Sequence, residues 1–317
     1  MSLNPTQIDY ACQGCGHNFS DLAALHYHIK EHKLNPEKYY TKYYPRKDLF
    51  TQQPLLFKSR DSYLTNDFVT RTNLKKWLAA REQLDSELVK DYCRNWLLNR
   101  KFLKNLVYTP TSVELKTMIA PTIEYYNEIF GDYYSLCQEL GFKNKFTPIK
   151  DNLELFKTEN KEFQIICDTR EQNPLILANS KREGLNFGDY STDENISGKT
   201  RIERKSLSDL LGTIGKGYER FQREIERAQA AGYNLVILVE ESFANYLSYP
   251  YMKHIRSKMP IEATSHNIRE LCQKYSNIQF LFVAGRKEAV RVVNRIFSIK
   301  DIAVKIDLQE ALDKGLL

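Results

Sequence analysis

Four residues near the N-terminus constrain the fold of this chain more than any other feature of its sequence. They have the spacing C-x2-C-x12-H-x3-H and are Cys12, Cys15, His28 and His32. Two thiolates across a tight turn and two imidazoles one helical turn apart can surround Zn²⁺ tetrahedrally. The sequence therefore predicts a zinc site, and zinc binding would supply most of the folding energy of so small a core.

Residues 10–32 resemble the two-Cys/two-His zinc finger family, which implies a ββα fold. The apolar positions that the core of such a finger needs are occupied by Tyr10, Phe19 and Leu25. Strong base recognition is not favoured, because the contacting helix positions include Asp21, which repels phosphate, and Ala24, which offers no hydrogen bond. We expect auxiliary DNA contacts from Lys30 and Lys33, with a structural or protein-binding role as the open alternative.

Composition excludes several classes of protein and indicates a polyanionic partner. The chain has 317 residues, and its hydrophobic fraction of 42% is too high for a disordered protein. Residues 1–150 contain 21 Lys and Arg against 16 Asp and Glu, whereas residues 151–317 contain 25 against 24. A basic, tyrosine-rich N-terminal half suits a nucleic acid, so we predict DNA as a partner.

Cysteine usage and apolar runs predict the compartment. Among the six cysteines only Cys12 and Cys15 lie close together, which is not a disulfide framework and fits a reducing compartment. No apolar stretch approaches the roughly 20 residues of a membrane span. The N-terminal sequence also lacks the pattern of a secretory signal. We therefore predict a cytoplasmic, nucleoid-associated protein without a membrane partner.

The region that follows the Cys/His motif is predicted to be helical. We assign residues 1–45 to the finger and a tyrosine-rich extension. Residues 46–108 are assigned to helices, because their apolar side chains recur at helical spacing. Asn73 and Asp85 are the predicted helix caps in this region.

Residues 109–145 are predicted to form three short helices joined by tight turns. Thr111 and Glu114 have the spacing of a capping box at the start of the first helix. This stretch resembles the trihelical repeat attached to homing endonucleases, which implies DNA binding. The second helix would then offer Tyr125 and Asn127 to DNA. The open alternative is that the aromatic residues of this stretch pack a small core.

The C-terminal half alternates short strands with helices, which predicts an α/β fold. Strand-like runs occur at residues 163–167, 235–239 and 278–283. Helical patterns occur at about 216–231, 265–276 and 286–298. We predict one domain over residues 161–317, a mixed sheet flanked by helices, and a polar linker before it over residues 146–160.

Three carboxylates and a lysine in this domain have the chemistry that phosphodiester hydrolysis needs. Asp168 ends a predicted strand, and Asp189 stands in the tripeptide GDY. Glu203 and Lys205 lie two residues apart on another predicted strand, so they share one face. Carboxylates at strand ends can hold one or two Mg²⁺ ions, and a neighbouring lysine can orient or deprotonate the attacking water. The spacing D-x13-E-x-K is that of the PD-(D/E)xK nuclease signature.

Residues 163–240, and more loosely the chain to residue 298, resemble the XPF-type structure-specific endonuclease domain. The matching blocks are DTRE from residue 168, GDY from 188, ERKS-x2-D from 203 and the basic amphipathic helix at 217–227. The resemblance implies a restriction-endonuclease-like fold, Mg²⁺ or Mn²⁺ bound by Asp168, Asp189 and Glu203, and catalytic Lys205. It also implies Glu171 as an outer ligand, Asp209 as a supporting carboxylate, Arg170 and Arg204 as phosphate or structural contacts, and Arg220 and Arg223 as DNA contacts.

These features together predict a Mg²⁺-dependent DNA endonuclease of the site-directed, homing type that phages and mobile elements encode. Two alternatives stay open. One is a structure-specific nuclease that cuts branched DNA in repair or recombination, and the other is a catalytically silent DNA-binding protein. The resemblance to XPF-type domains further implies a homodimer.

Overall fold

The computed structural model describes residues 10–157, 163–192, 199–252, 255, 257 and 259–317. The chain divides into two compact units. The first consists of Met1–Val107 with Met118–Lys143, and the second of Tyr108–Thr117 with Asn144–Leu317. The chain thus enters the second unit briefly, returns to the first and then completes the second. No helix in these described ranges has both the length and the apolarity to cross a membrane.

The described residues before residue 143 are predominantly helical, as predicted for the middle of the chain. In chain order the helices are α1 (Leu22–His28), α2 (Pro36–Tyr43), α3 (Arg60–Thr65), α4 (Arg71–Glu82), α5 (Ser86–Lys104), α6 (Ser112–Lys116), α7 (Ile123–Phe130) and α8 (Tyr133–Glu139). Helix α6 belongs to the second unit and the others to the first.

Short polar side chains fix where several of these helices begin. Asp85 caps α5, and Thr111 forms the predicted capping box of α6 with Glu114. The prediction of Asn73 as a cap is wrong. Thr70 caps α4 instead, because its hydroxyl accepts the backbone N–H of Asn73 at 3.1 Å and so places Asn73 inside the first turn.

The predicted finger shares its core with the tyrosine-rich extension. Leu25 of α1 is buried, as predicted, and Phe19 packs against the same cluster. Tyr10 differs from the prediction, since 41% of its surface is exposed. The cluster also contains Tyr39 and Tyr40 of α2, both fully buried. Their large rings give the finger apolar contacts that a ββα unit of this length does not have alone.

The second unit contains a six-stranded mixed sheet. Its strands are β1 (Ile165–Cys167), β2 (Ser180–Arg182), β3 (Tyr190–Thr192), β4 (Thr200–Lys205), β5 (Asn234–Val239) and β6 (Ile278–Phe282). They lie in the order β2-β1-β3-β4-β5-β6. Strand β3 is antiparallel to β1 and β4, whereas the pairs β1–β2, β4–β5 and β5–β6 are parallel. The mixed sheet predicted for this half of the chain is confirmed.

Helices cover both faces of this sheet. They are α9 (Leu207–Ile214), α10 (Tyr218–Ala230), α11 (Phe243–Ser248), α12 (Ile261–Lys274), α13 (Arg286–Ser298) and α14 (Leu308–Asp313). Successive residues of a strand point to opposite faces. Val236 and Leu238 of β5 therefore join a core with α13, while Leu235 and Ile237 join a second core with α9, α10 and α12.

Two segments outside the predicted nuclease boundaries belong to this unit. In α6, the N–H of Ser112 donates to Asp307 Oδ2 at 2.7 Å, and the Asp307 side chain also caps α14. In the predicted linker 146–160, Ile149 and Phe156 are buried in the core that contains α13. Ser112, Ile149 and Phe156 therefore contact the rest of the second unit, and residues 158–160 of the predicted linker lie outside the described residues. The trihelical repeat stays a prediction.

Candidate functional site

The predicted zinc ligands converge in the first unit. One ligand atom from each of Cys12, Cys15, His28 and His32 lies within 4.8 Å of the others. His28 Nε2 is 3.2 Å from Cys15 Sγ and 3.1 Å from His32 Nε2. A turn closed by the hydrogen bond from Gly16 N–H to Cys12 O, 2.7 Å long, presents the two thiols. This set of sulfur and nitrogen donors could hold Zn²⁺.

Glu31 orients one of the imidazoles. Its Oε2 lies 3.0 Å from His28 Nδ1, whereas the other ring nitrogen of His28 faces Cys15. A carboxylate in this position fixes the tautomer and the ring orientation of a metal-binding histidine. Sequence reasoning did not single out Glu31, although its spacing of three residues from His28 is a signal for such a pair.

The surface of the predicted finger offers few groups for base recognition. Asp21 caps α1 and accepts the Ala24 N–H at 2.8 Å, so its carboxylate is used within the chain. Tyr27 is 72% exposed, and Lys30 Nζ lies 5.4 Å from its ring centroid. Lys33 is also exposed. Lys30 and Lys33 are therefore accessible to phosphates, and their contact with DNA stays a prediction.

The two residues of α7 that were predicted to face DNA have partners within the first unit. The Tyr125 hydroxyl donates to Glu82 Oε2 at 3.2 Å. Asn127 Oδ1 accepts the backbone N–H of Tyr133 at 2.8 Å and so holds the turn between α7 and α8. Either side chain would have to exchange an internal hydrogen bond for one to DNA, and their DNA contacts stay a prediction.

Asp168 directly follows β1 in the second unit and is 1% exposed. Its Oδ1 accepts the backbone N–H of Arg170 at 2.7 Å and the Nε–H of the same residue at 2.8 Å. Its Oδ2 accepts the N–H of Leu185 at 2.6 Å. These hydrogen bonds, that of the Arg170 side chain first, lower the pKa of Asp168 to about 2. The carboxylate is therefore anionic throughout the neutral range.

Asp189 lies where β3 pairs with β4. Its N–H donates to Ile202 O at 2.8 Å, and its Oδ2 accepts the N–H of Arg204 at 2.8 Å. Burial, followed by the neighbouring Glu203 carboxylate, raises the pKa of Asp189 to about 7. Gly188 has a φ of +69°, and a Cβ there would lie 3.0 Å from Ile202 O. This close approach explains why glycine precedes the aspartate.

Glu203 and Lys205 extend from the same face of β4, as the strand period predicts. Lys205 Nζ lies 2.6 Å from Glu203 Oε1, and both side chains are 14% exposed. Burial acts to lower the pKa of Lys205, but the carboxylates of Glu203 and Asp189 outweigh it, so this pKa lies above its usual value. Lys205 is therefore an ammonium at neutral pH, suited to orienting a water molecule or stabilising an anion.

The residues with predicted supporting roles have different surroundings. Both oxygens of the Glu171 carboxylate accept from Arg204, at 3.0 Å from Nη2 and 3.3 Å from Nε. Asp209 accepts a hydroxyl hydrogen bond at the start of α9. Arg220 and Arg223 are exposed on α10. Glu171 thus forms an ion pair with Arg204, and the DNA-contact roles of the two helix arginines stay predictions.

Two carboxylates near this site were missed by sequence reasoning. Glu240 follows β5 and accepts from Arg204 Nη1 at 2.8 Å. Glu224 is half-buried on α10, where burial and the Glu203 carboxylate raise its pKa. A signal existed for Glu240, because it directly follows an apolar strand just as Asp168 does.

The acidic residues present oxygen ligands without forming a closed ligand set. In the described part of the chain, the Cys/His group is the only one in which three or more ligand atoms lie within 4.8 Å of one another. Burial, followed by the neighbouring Glu203 carboxylate, nevertheless raises the pKa of Asp189, and Lys205 offsets this only in part. A divalent cation bound there would relieve the repulsion, so these residues fit Mg²⁺ or Mn²⁺.

Part of this chain is similar to known proteins. Residues 151–296 match the ERCC4 domain. XPF from Aeropyrum pernix, in complex with DNA, is 20% identical with a TM-score of 0.33, over 43% of this chain and 63% of that chain. A second structure, XPF from Aeropyrum pernix, is 18% identical with a TM-score of 0.33, over 46% and 68%. The match spans less than two thirds of the first of these structures. No curated protein matches this chain.

The mixed sheet with flanking helices and the match to the ERCC4 domain give the second unit an XPF-like nuclease fold. More specifically, residues 151–296 are an ERCC4 domain. The XPF-type resemblance of the sequence is thereby confirmed for this half of the chain. The resemblance of residues 109–145 to a homing-associated repeat stays a prediction.

Proposed function

We propose that this protein is a metal-dependent DNA endonuclease that hydrolyses phosphodiester bonds. One observation carries the proposal: within an ERCC4 domain, the Lys205 ammonium lies 2.6 Å from the Glu203 carboxylate, and Asp189 is near enough to help raise the pKa of Lys205. A group of carboxylate oxygens with an ammonium beside it suits phosphoryl transfer, in which negative charge must be stabilised on the phosphate.

Asp168, Asp189 and Glu203 would hold one or two Mg²⁺ or Mn²⁺ ions, which when bound act as a Lewis acid toward the scissile phosphate. The side chains of the protein orient the attacking water, stabilise charge and contact the DNA. Lys205 orients the attacking water and offsets the charge that develops on the phosphate, because its raised pKa keeps it protonated. Arg170 pairs with Asp168 and exposes 72% of its side chain, so it can contact a DNA phosphate.

The proposal includes cleavage of duplex DNA at one locus in the cytoplasm, as in the homing enzymes of phages and mobile elements. Binding of Zn²⁺ by Cys12, Cys15, His28 and His32 supports this targeting, because a folded finger presents Lys30 and Lys33 to phosphates. Cutting of both strands by a chain with one nuclease site requires a homodimer or two successive nicks.

The test is incubation of the purified protein with Mg²⁺ and three DNA substrates: a long linear duplex carrying many sequences, a forked duplex and a Holliday junction. We expect cleavage of the duplex at one locus. Cleavage of only the branched substrates would show that the enzyme recognises the structure of its DNA substrate and not its sequence. Retained DNA binding without cleavage of any substrate, with Mn²⁺ as well as Mg²⁺, would overturn the proposed activity.

The Mg²⁺ requirement of cleavage should depend on pH through Asp189. Its pKa of about 7 means that protons compete with the cation below neutral pH, whereas the carboxylate is largely ionised at pH 8. The Mg²⁺ concentration for half-maximal cleavage should therefore be about tenfold higher at pH 6 than at pH 8. Glu219→Gln, which removes an exposed carboxylate of α10, should keep the same dependence. Equal Mg²⁺ requirements at both pH values would contradict this role of Asp189.

A further inference from the structure

Four charged side chains next to the nuclease site form one hydrogen-bonded group, here named the Arg204 cluster: Glu171, Arg204, Glu240 and Arg286. Arg204 donates to Glu171 Oε1 at 3.0 Å and to Glu240 Oε2 at 2.8 Å. Arg286, the first residue of α13, lies with its Nη1 3.5 Å from Glu240 Oε1. The side chains of Glu171, Arg204 and Glu240 are 8, 10 and 12% exposed. The cluster is therefore largely shielded from water.

The Arg204 cluster holds the backbone that follows Asp168, residues 169–174, here named the turn. Arg204 Nη2 donates to Asn173 O at 3.1 Å, and Arg286 Nη2 donates to the same carbonyl at 2.8 Å. Arg286 also donates to the carbonyl of Pro174. The guanidinium groups of Arg204 and Arg286 thus donate to the consecutive carbonyls of Asn173 and Pro174. These hydrogen bonds fix the position of the turn relative to β4 and α13. The position of Asp168, directly before the turn, is fixed with it.

The Arg204 cluster is also connected to the carboxylate of Asp189, by a hydrogen bond from the backbone of Arg204. The Arg204 N–H donates to Asp189 Oδ2 at 2.8 Å, and Arg204 stands between Glu203 and Lys205 on β4. The two guanidinium groups and two carboxylates are equal and opposite in charge, and their pairing offsets the desolvation penalty of burying them. Removal of one partner leaves an unpaired charge in a shielded place. The remaining side chains would then rearrange, together with the peptide that holds Asp189.

We propose that Glu240 and Arg286 are positioning residues for the metal-binding carboxylates, acting through Arg204 and the turn after Asp168. The proposal rests on the proposed nuclease function, and neither residue is assigned a contact with substrate. The paired hydrogen bonds of Arg204 fix angles as well as distances, which a single point charge would not do. Loss of such outer partners weakens metal binding or activity by about 10- to 100-fold in known metal sites.

The test compares wild type with Glu240→Gln in the full-length protein. Binding of Mn²⁺ is measured from the electron paramagnetic resonance signal of the free ion, and cleavage is measured with Mg²⁺. We expect Mn²⁺ binding about tenfold weaker and kcat about tenfold lower, with KM for DNA unchanged. Glu241→Gln is the matched control, because Glu241 binds the side chain of Asn245 outside the cluster, and it should behave as wild type.

Arg286→Ala keeps the test decisive if Glu240→Gln does not fold. The Arg286 side chain is 35% exposed and that of Glu240 only 12%, so a substitution at Arg286 disturbs a less buried position. We expect the same direction of change in Mn²⁺ affinity and in kcat, and a smaller amplitude. A merely structural role would lower the melting temperature of a folded variant and leave its Mn²⁺ affinity at the wild-type value. That result would overturn the proposal.

The metal measurement also separates this proposal from the proposed function. Asp189→Asn identifies the Mn²⁺ that belongs to the nuclease site. If wild type binds this ion but cuts no DNA, the proposed function fails, while the Mn²⁺ affinities of Glu240→Gln and Arg286→Ala still decide the positioning role. If wild type cuts DNA and both variants bind Mn²⁺ as wild type does, only the positioning role fails. If Asp189→Asn removes no bound Mn²⁺, both proposals are overturned.

Discussion

Replacement of Lys205 by alanine is expected to lower the rate of DNA cleavage by about 10²- to 10³-fold and to leave DNA affinity almost unchanged. The variant loses the ammonium 2.6 Å from Glu203, which is positioned to stabilise charge on the phosphate. DNA binding depends on the sum of many phosphate contacts, and Lys205 exposes only 14% of its side chain. Single-turnover cleavage with Mg²⁺ and fluorescence anisotropy with Ca²⁺ measure the two properties separately.

Lys274→Ala provides the matched control for this variant. Lys274 is an exposed lysine at the end of α12, where its Nζ lies 3.3 Å from Glu226. Its removal deletes the same positive charge from the same unit without touching the site, so cleavage and binding should both be retained. Parallel loss of binding and cleavage in Lys205→Ala would assign Lys205 to DNA binding or to folding. Full activity of that variant would remove Lys205 from the reaction.

Loss of zinc is expected to unfold residues 10–33 and to leave the sheet of the second unit intact. The seven-residue helix α1 is too short to be stable alone, and metal binding contributes roughly 10–16 kcal/mol to finger peptides of this kind. Cys12→Ala should therefore reduce zinc from one equivalent per chain to none. Hydrogen exchange should show loss of amide protection over residues 10–33 and unchanged protection in β5 and β6.

His17→Ala tests whether this result depends on the four ligands alone. His17 is an exposed histidine of the same segment, and its ring packs 4.8 Å from that of Phe19 outside the ligand set. This variant should keep one equivalent of zinc and normal protection of the segment. If Cys12→Ala retained protected amides, the shared core with Tyr39 and Tyr40 would be sufficient to fold the finger without metal.

The parts of the fold and site that sequence reasoning predicted are those governed by local spacing. The ligand spacing of Cys12 and Cys15 depends on one turn, and the shared face of Glu203 and Lys205 depends on the strand period. The capping box of Thr111 follows from hydrogen bonds within one helical turn. Such features involve residues that are close in the chain, so a short window of sequence contains the whole interaction.

Interactions between residues far apart in the sequence could not be predicted from the sequence alone. Nothing close to Glu171 in the chain indicates that Arg204, 33 residues later, donates to both of its carboxylate oxygens. Glu240 is 36 residues from the same arginine, and nothing in its neighbourhood indicates that pair. Polar composition predicted a linker at residues 146–160, and composition alone does not indicate that Ile149 and Phe156, in its described part, are buried in a core.

The amino-acid sequence by itself determined the chemistry available to this protein: thiols and imidazoles at zinc spacing, and carboxylates and a lysine on or next to predicted strands. Periodicity and metal-ligand spacing are local properties, so they can be inferred from the chain alone. The tertiary structure decided which of these groups are already paired with one another and which remain free to act. Burial and ion pairing depend on the positions of residues brought together from far apart, and only the folded chain specifies those positions.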